Sequence, residues 1–125
     1  MTDDNCEEVF AALKAREPIF HRPEFGTGRQ DFEAMVDRDF WEVGASGRVY
    51  SRQFVLDTLE RRHAAGPVND DWRVEDCAYR EIGPQTYLFT YRLHQGERIS
   101  RRATLWRKGG DGWKALYHQG TLVSS

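Results

Sequence analysis

The chain has 125 residues, of which 39% are hydrophobic and 30% are charged, with a formal net charge of −2 and a pI of about 6.1. This composition excludes a disordered chain and fits one folded domain over residues 1–125. It also lacks the overall positive charge that attracts nucleic acid or anionic lipid. The sequence contains no apolar run of about 20 residues, the length that a membrane helix requires.

A first helix is predicted near the start of the chain. Asn5, followed three residues later by Glu8, has the spacing of a helix N-cap. Pro18 and Pro23 end the helical pattern, because proline cannot continue a helix. The apolar residues at steps of three and four that define one helix face are Cys6, Val9, Phe10, Leu13 and, further on, Phe20.

Two further helices follow, each with its own N-terminal signal. Thr27 and Gln30 form a second capping-box pattern, and Ser51 is the predicted cap of a third helix that ends at Gly66-Pro67. Between these helices, the compact apolar run at residues 40–44 predicts a short strand. The apolar positions are Phe32, Met35 and Val36 in the second helix and Val55, Leu56 and Leu59 in the third.

Four long strands are predicted from Trp72 onward. Their sequences are WRVEDCAYREI, QTYLFTYRLHQ, RISRRATLWRK and WKALYHQGTLV. The connections between them are short and contain glycine, which is typical of antiparallel neighbours, so the four strands should form a meander. Helices first and a curved sheet second predict an α+β domain in which the helices cover one sheet face.

The order of these elements and three segments, FWEVGASGRVYSRQFVLDTLE, RRATLWRK and DGWKALYHQGT, resemble the nuclear transport factor 2-like superfamily, also called SnoaL-like. The resemblance spans nearly the whole chain. It is strongest to a poorly characterised branch with a GASGR turn before the third helix and a W...DGW...HQGT carboxyl end.

That resemblance implies a cone, in which three N-terminal helices pack on a curved and mainly antiparallel sheet and a pocket opens at one end. It also implies that the outer sheet face often forms a homodimer. Members of the superfamily include isomerases, cyclases, dehydratases, epoxide hydrolases, carriers and scaffolds, because different side chains line one cavity.

The second long strand agrees with a homodimer through the sheet. One of its faces carries large apolar side chains, and Leu88 interrupts the polar residues of the other face. A face exposed only to solvent would be more uniformly polar. The first face holds Tyr87, Phe89, Tyr91 and Leu93, and the second holds Thr86, Leu88, Thr90 and Arg92.

The candidate ligand-binding residues are Glu42, Arg102, Trp106 and His118. The resemblance favours Arg102 and Trp106, which share one face of the third long strand, as cavity lining, with His118 beside them and Glu42 facing the same space. Alternation alone leaves the inward set of the fourth strand open. That set is either Lys114, Leu116 and His118 or Trp113, Ala115, Tyr117 and Gln119.

Three functions fit these residues. The first is binding of a small polar or aromatic metabolite in the cone cavity, without a cofactor. The second is a cofactor-independent isomerase, cyclase or hydratase, in which Glu42 or His118 acts as base and Arg102 stabilises negative charge. The third is a homodimeric interaction module without a ligand. In a purely structural alternative, Glu42 and Arg102 form a buried ion pair and His118 bonds a backbone carbonyl.

Other features predict structural roles. The four tryptophans could stack on an aromatic ligand, but strand aromatics are more often core residues. The basic stretch from Arg98 to Lys108 falls on both faces of its strand and does not predict nucleic-acid binding. The histidines are too far apart in sequence to predict a metal site: His21 lies in a loop expected to cap the cone, His63 at a helix carboxyl end, and His94 and His118 on strands.

The two cysteines, Cys6 and Cys77, have no paired spacing that would suggest a metal or redox site. Free thiols in a reducing compartment are therefore expected. The opening segment, MTDDNCEEVF, is acidic and does not have the basic and then apolar pattern of a signal peptide, so a cytoplasmic location is predicted.

Overall fold

A computed structural model describes residues 3–64, 72–110 and 112–123, with side chains from residue 7 onward. The helices are α1 (Asp3–Arg16), α2 (Arg29–Met35) and α3 (Arg52–Ala64), and a short 3-10 turn covers Pro23–Phe25. The strands are β1 (Val36–Val43), β2 (Val49–Ser51), β3 (Trp72–Gly83), β4 (Thr86–Gln95), β5 (Arg98–Gly109) and β6 (Gly112–Leu122). None of the described helices is both long and apolar enough to cross a membrane.

The six strands form one sheet in the order β2-β1-β6-β5-β4-β3. Strands β3 to β6 pair antiparallel in sequence, so the predicted meander is confirmed. Strand β1 joins the last strand of this meander in parallel, while β2 pairs with β1 antiparallel. The predicted α+β class, with three helices packed on a mainly antiparallel sheet, is confirmed.

The hydrophobic core lies between the helices and the inner face of the sheet. On β4, burial alternates strictly, and the predicted apolar face is the inner one. Helices contribute their own buried stripes, as α3 does with the three apolar residues predicted for it. The core residues of β4 and α3 are Tyr87, Phe89, Tyr91 and Leu93, and Val55, Leu56 and Leu59.

The helix caps were predicted with mixed success. Ser51 is the cap of α3, since its Oγ accepts a hydrogen bond of 3.1 Å from the Phe54 amide. The predicted cap at Asn5 is wrong, because Asn5 lies inside α1. Gly66-Pro67, the predicted end of α3, lies outside the described residues.

The cap of α2 lies one residue later than the predicted pair. Gly28 is the N-cap, and its amide donates a hydrogen bond of 3.0 Å to the Asp31 carboxylate. An aspartate three residues beyond the N-cap can accept this hydrogen bond directly and also carries the negative charge favoured at a helix N-terminus. The pairing of Thr27 with Gln30 is therefore wrong by one position.

The first strand is longer than the sequence pattern predicts. It begins at Val36, which was assigned to the second helix, instead of at Phe40. Its parallel pairing to β6, from Val36 opposite Ala115 to Val43 opposite Gln119, extends it. Local periodicity cannot report a partner some 80 residues away. The short strand β2 was also missed, because its three residues are too few to show an alternating pattern.

Candidate functional site

The inside of the cone contains a cavity of about 480 Å³. It lies between the loop after α1, helix α3 and the inner faces of β1, β5 and β6. Three of the four predicted ligand-binding residues, Glu42, Arg102 and His118, line it together. The aromatic part of its wall includes Tyr50 and Phe54, whose rings stack at 5.0 Å between centroids and were not predicted as site residues.

A bulge in β6 determines which of its side chains face inward. Leu105 pairs with Tyr117, but the next residue of β5, Trp106, pairs with Ala115, so Leu116 is an extra residue. Before the bulge Ala115 faces inward, and after it His118 and Gly120 face inward. The true inward set therefore combines parts of the two alternatives that strand alternation left open.

The bulge brings His118 opposite Thr104 and Gly120 opposite Arg102. Because Gly120 has no side chain, the Arg102 guanidinium group can lie across it. A Cβ atom at Gly120 would lie 3.4 Å from Arg102 Nε, in van der Waals contact with that side chain. This glycine thus leaves the space that Arg102 occupies at the cavity wall.

His118 is almost completely buried, at 3% exposure. Its Nδ1 lies 2.8 Å from the Thr104 hydroxyl. The purely structural alternative predicts a hydrogen bond from His118 to a backbone carbonyl instead. Its Nε2 has no hydrogen-bond partner in the part of the chain that the structure describes. Burial, with the positive charges of Arg102 and His21, lowers the pKa of His118 from 6.5 to about 3, so the ring is neutral at pH 7.

A buried carboxyl group, Glu17, lies deeper in the cone and was not predicted. Its Oε1 accepts hydrogen bonds from the Ile19 amide at 2.9 Å and the Tyr91 hydroxyl at 2.8 Å, and its Oε2 accepts one from the Trp106 indole at 2.9 Å. Burial raises the pKa of Glu17, while these donors and the Thr104 hydroxyl oppose that rise. The signal in the sequence is one acidic residue directly before the apolar run Pro18-Ile19-Phe20.

Trp106 belongs to this buried network and not to the cavity wall. It is 1% exposed, and its only polar atom donates to Glu17. Trp106 lies four residues further along β5 than Arg102, among the fully buried side chains of the core. The predicted lining role of Trp106 is therefore corrected: of the four candidate residues, it is the one that the structure does not bring to the cavity.

Glu42 lies on β1 directly beside His118 on β6. Burial raises the pKa of Glu42, and the charges of Arg102 and Arg62 partly oppose that rise. Glu42 and Arg102 both lie in the described part of the chain, and no nitrogen–oxygen distance of 4.0 Å or less joins their charged groups. Arg102 Nε instead donates a hydrogen bond of 3.1 Å to the Ser100 hydroxyl. The buried ion pair of the structural alternative is not formed.

Positive charge exceeds negative charge around this cavity. Arg62 on α3 and Arg98 on β5 join Arg102 at its wall, whereas Glu42 is the acidic residue among the described lining residues. Guanidinium groups bind carboxylate and phosphate groups with paired hydrogen bonds. The cavity is thus suited to a small molecule with at least one anionic group.

The remaining candidates have separate positions. Trp41 is 45% exposed and contacts Tyr117 at 4.5 Å between ring centroids. His63 lies in the last turn of α3 and packs on Phe32, while His21 lines the cavity. Among the described residues, no group of three or more histidines, cysteines or acids could hold a metal ion.

The other predicted aromatic and sulfur residues are structural in the described region. Trp72 and Trp113 pack partly buried against the core, and Trp72 also stacks under the Arg22 guanidinium group at 4.7 Å. Cys77 is a free thiol whose pKa is raised by burial. The side chain of Cys6 lies outside the described part of the chain.

Solved structures share the fold of this chain. A protein from Streptomyces avermitilis, provisionally assigned as a dehydratase of the nuclear transport factor 2-like family, is 17% identical over 100% of both chains with a TM-score of 0.74. The chain has the nuclear transport factor 2-like fold. No protein-family model and no curated protein matches the sequence.

Two further structures share this fold. A cystatin-like fold protein from Burkholderia xenovorans is 15% identical over 99% of this chain and 95% of its own, with a TM-score of 0.74. A nuclear transport factor 2-like protein of unknown function in nutrient uptake from Rhodospirillum rubrum is 20% identical over 94% of this chain and 98% of its own, with a TM-score of 0.66. Identities this low establish the nuclear transport factor 2-like fold and leave the choice of function to the residues of the site.

Proposed function

We propose that this nuclear transport factor 2-like protein binds a small polar, anionic metabolite in the cone cavity, in contact with Glu42, Arg102 and His118. The observation that carries this proposal is the buried Nε2 of His118, which has no partner among the described residues although its ring lines a cavity. Buried polar atoms without partners are rare, because each costs about 1 to 3 kcal/mol. A bound molecule would supply the missing hydrogen bond.

The size and charge of the cavity support the same function. Its volume of about 480 Å³ falls within the range of small-molecule sites, roughly 300 to 1,000 Å³. Its three arginines would neutralise a carboxylate or phosphate group. The stacked rings of Tyr50 and Phe54 supply an apolar wall, so an aromatic acid fits the lining as well as an aliphatic one.

A titration followed by two-dimensional amide NMR tests this proposal with two matched probes, benzoate and benzamide. Benzoate should bind about tenfold more tightly, because it alone carries the negative charge that the arginines attract. Arg102→Gln should remove this preference. Arg101→Gln is the matched control, since Arg101 is the exposed neighbour on the same strand. Equal binding of the two probes, or an equal effect of the two variants, would contradict the proposal.

A second candidate function is proton transfer, with Glu42 as the base and Arg102 stabilising the negative charge that develops on a substrate oxygen. Burial raises the pKa of Glu42 towards neutrality, where a carboxylate becomes a better base. His118 is the weaker candidate, because a group whose pKa is about 3 holds a proton poorly at pH 7. Removal of a proton from the carbon beside a carbonyl group, and its return to another atom, would constitute an isomerisation.

Deuterium exchange tests this second candidate. Phenylpyruvate in D₂O should lose its benzylic hydrogens faster with the wild-type protein than in buffer, and Glu42→Gln should abolish the difference. Glu81→Gln, which changes an exposed residue of β3, is the control. Exchange that survives Glu42→Gln unchanged would exclude Glu42 as the base.

A further part of the proposal is a homodimer formed through the outer face of the sheet. Trp41 and Tyr117 support this assembly, since their rings contact each other and Trp41 is 45% exposed. Exposed aromatic residues are enriched at protein interfaces. Sedimentation velocity should give a dimer that Trp41→Glu converts to a monomer, and a wild-type monomer at high concentration would exclude this assembly.

A further inference from the structure

A chain of hydrogen bonds connects the core to the cavity. At one end, the Thr104 hydroxyl is among the groups whose hydrogen bonding lowers the pKa of Glu17. The oxygen of the same hydroxyl lies 2.8 Å from Nδ1 of His118. The chain ends at Nε2 of His118, the buried atom without a described partner. The direction in which each hydrogen points along this chain decides whether Nε2 donates or accepts.

The direction is determined at Glu17. The Ile19 amide donates to Oε1 and the Trp106 indole to Oε2, and neither N–H group can accept a hydrogen bond. The Tyr91 hydroxyl is buried and adds a third donor at Oε1. A carboxylate accepts from all three and from the Thr104 hydroxyl as well. Burial raises the pKa of Glu17, and these four donors oppose that rise and favour the ionised form.

The arrangement at Glu17 determines the tautomer of His118. The Thr104 hydroxyl has one hydrogen, and giving it to Glu17 leaves only lone pairs for the imidazole ring. Nδ1 must therefore carry a hydrogen and donate it to Thr104. Because the neutral ring has one N–H group, Nε2 then has a free lone pair and can only accept.

We infer that Glu17, acting through Thr104, holds His118 in the Nδ1–H tautomer, so that the cavity selects small anionic molecules that also carry a hydrogen-bond donor, such as hydroxy acids. This inference rests on the proposed function for the anionic group, which the arginines would contact, and adds the donor that Nε2 requires. Glu17 and Thr104 are positioning residues, since neither lines the cavity.

The tautomer can be measured without any ligand. Long-range ¹H–¹⁵N correlation spectra at neutral pH distinguish a protonated from an unprotonated ring nitrogen, and the signals lost in His118→Asn identify His118. The expected result is a protonated Nδ1 and an unprotonated Nε2. A wild-type ring with its hydrogen on Nε2 overturns the inference, whatever the cavity binds.

Two variants at Thr104 test the role of the hydroxyl group. Thr104→Val keeps the shape of the side chain but cannot accept from Nδ1, so the ring should change to the Nε2–H tautomer. Thr104→Ser keeps the hydroxyl and should retain the wild-type tautomer. An unchanged tautomer in Thr104→Val contradicts the role of Thr104. The wild-type spectrum decides the tautomer even if a variant fails to fold.

A second pair of probes tests the selection of a donor. Mandelate and its methyl ether, 2-methoxy-2-phenylacetate, carry the same carboxylate, but only mandelate has a hydroxyl hydrogen. We expect mandelate to bind the wild-type protein about tenfold more tightly, and we expect Thr104→Val to lose this preference, which a difference in size alone would not explain. Equal binding of the two acids to the wild-type protein overturns the selection. Failure of both acids to bind contradicts the proposed function, while the spectra report the tautomer independently.

Discussion

Two carboxyl groups of this protein, Glu17 and Glu42, have pKa values shifted in the same direction but differ in their hydrogen bonding. Burial raises the pKa of each. Four hydrogen-bond donors surround Glu17 in the core, whereas the pKa of Glu42 is affected by burial and by two arginine charges and by no hydrogen bond. The comparison shows that burial alone does not mark a functional acid: the carboxyl group whose hydrogen bonds are already made supports the site, and the open one faces the cavity.

The largest expected effect comes from removing the core carboxyl group. Glu17→Ala leaves the Tyr91 hydroxyl, the Trp106 indole and the Ile19 amide without their acceptor. The free energy of unfolding should fall by about 4 kcal/mol, because buried donors without partners cost about 1 to 3 kcal/mol each and the effects are not fully additive. Urea denaturation followed by tryptophan fluorescence measures this change, and a loss below about 1 kcal/mol would mean that the network contributes little.

A smaller effect is expected from acidification, through His118. A histidine whose pKa is lowered by folding stabilises the protein above its unfolded pKa of 6.5, and this stability is lost as the pH falls towards about 3. Between about pH 7.5 and about pH 5, His118 should account for a loss of about 2 kcal/mol. Glu17 and Glu42 act in the opposite direction, because protonation relieves a buried carboxylate.

The contribution of His118 is separated by comparison with His118→Asn. Both carboxyl groups remain in this variant, so its urea stability should fall less between the same two pH values than that of the wild-type protein. The difference between the two pH dependences of the free energy of unfolding is the contribution of His118. Parallel pH profiles would show that His118 is not held neutral by burial.

The smallest expected effect on stability comes from the cavity carboxyl group. Glu42→Gln removes a charge that makes no hydrogen bond, so the free energy of unfolding should change by less than about 1 kcal/mol. The same variant should change the affinity for small molecules. Thermal denaturation alongside the Glu17 variant measures the contrast directly, and a loss as large as that of Glu17→Ala would remove the distinction between the two acids.

The long strands and the cap of the third helix were predictable because their causes are local. Alternating apolar and polar residues define β4 within ten positions, and Ser51 caps α3 through an amide three residues away. The grouping of Glu42, Arg102 and His118 was also predicted: the resemblance to a fold family placed Arg102 at the cavity, with His118 predicted beside it and Glu42 facing the same space. Trp106 was misplaced because sharing a strand face with Arg102 does not determine how deep in the cone a residue lies.

The sequence by itself determined the class of the fold, since helix periodicity and strand alternation depend on neighbours along the chain. Only the tertiary structure decided the chemistry of the cavity. The extra residue at Leu116 turns His118 inward, and Glu17 meets Tyr91 and Trp106 across 74 and 89 positions of the chain. Hydrogen bonds between such distant residues form only when the sheet closes over the helices, so no local pattern predicts them.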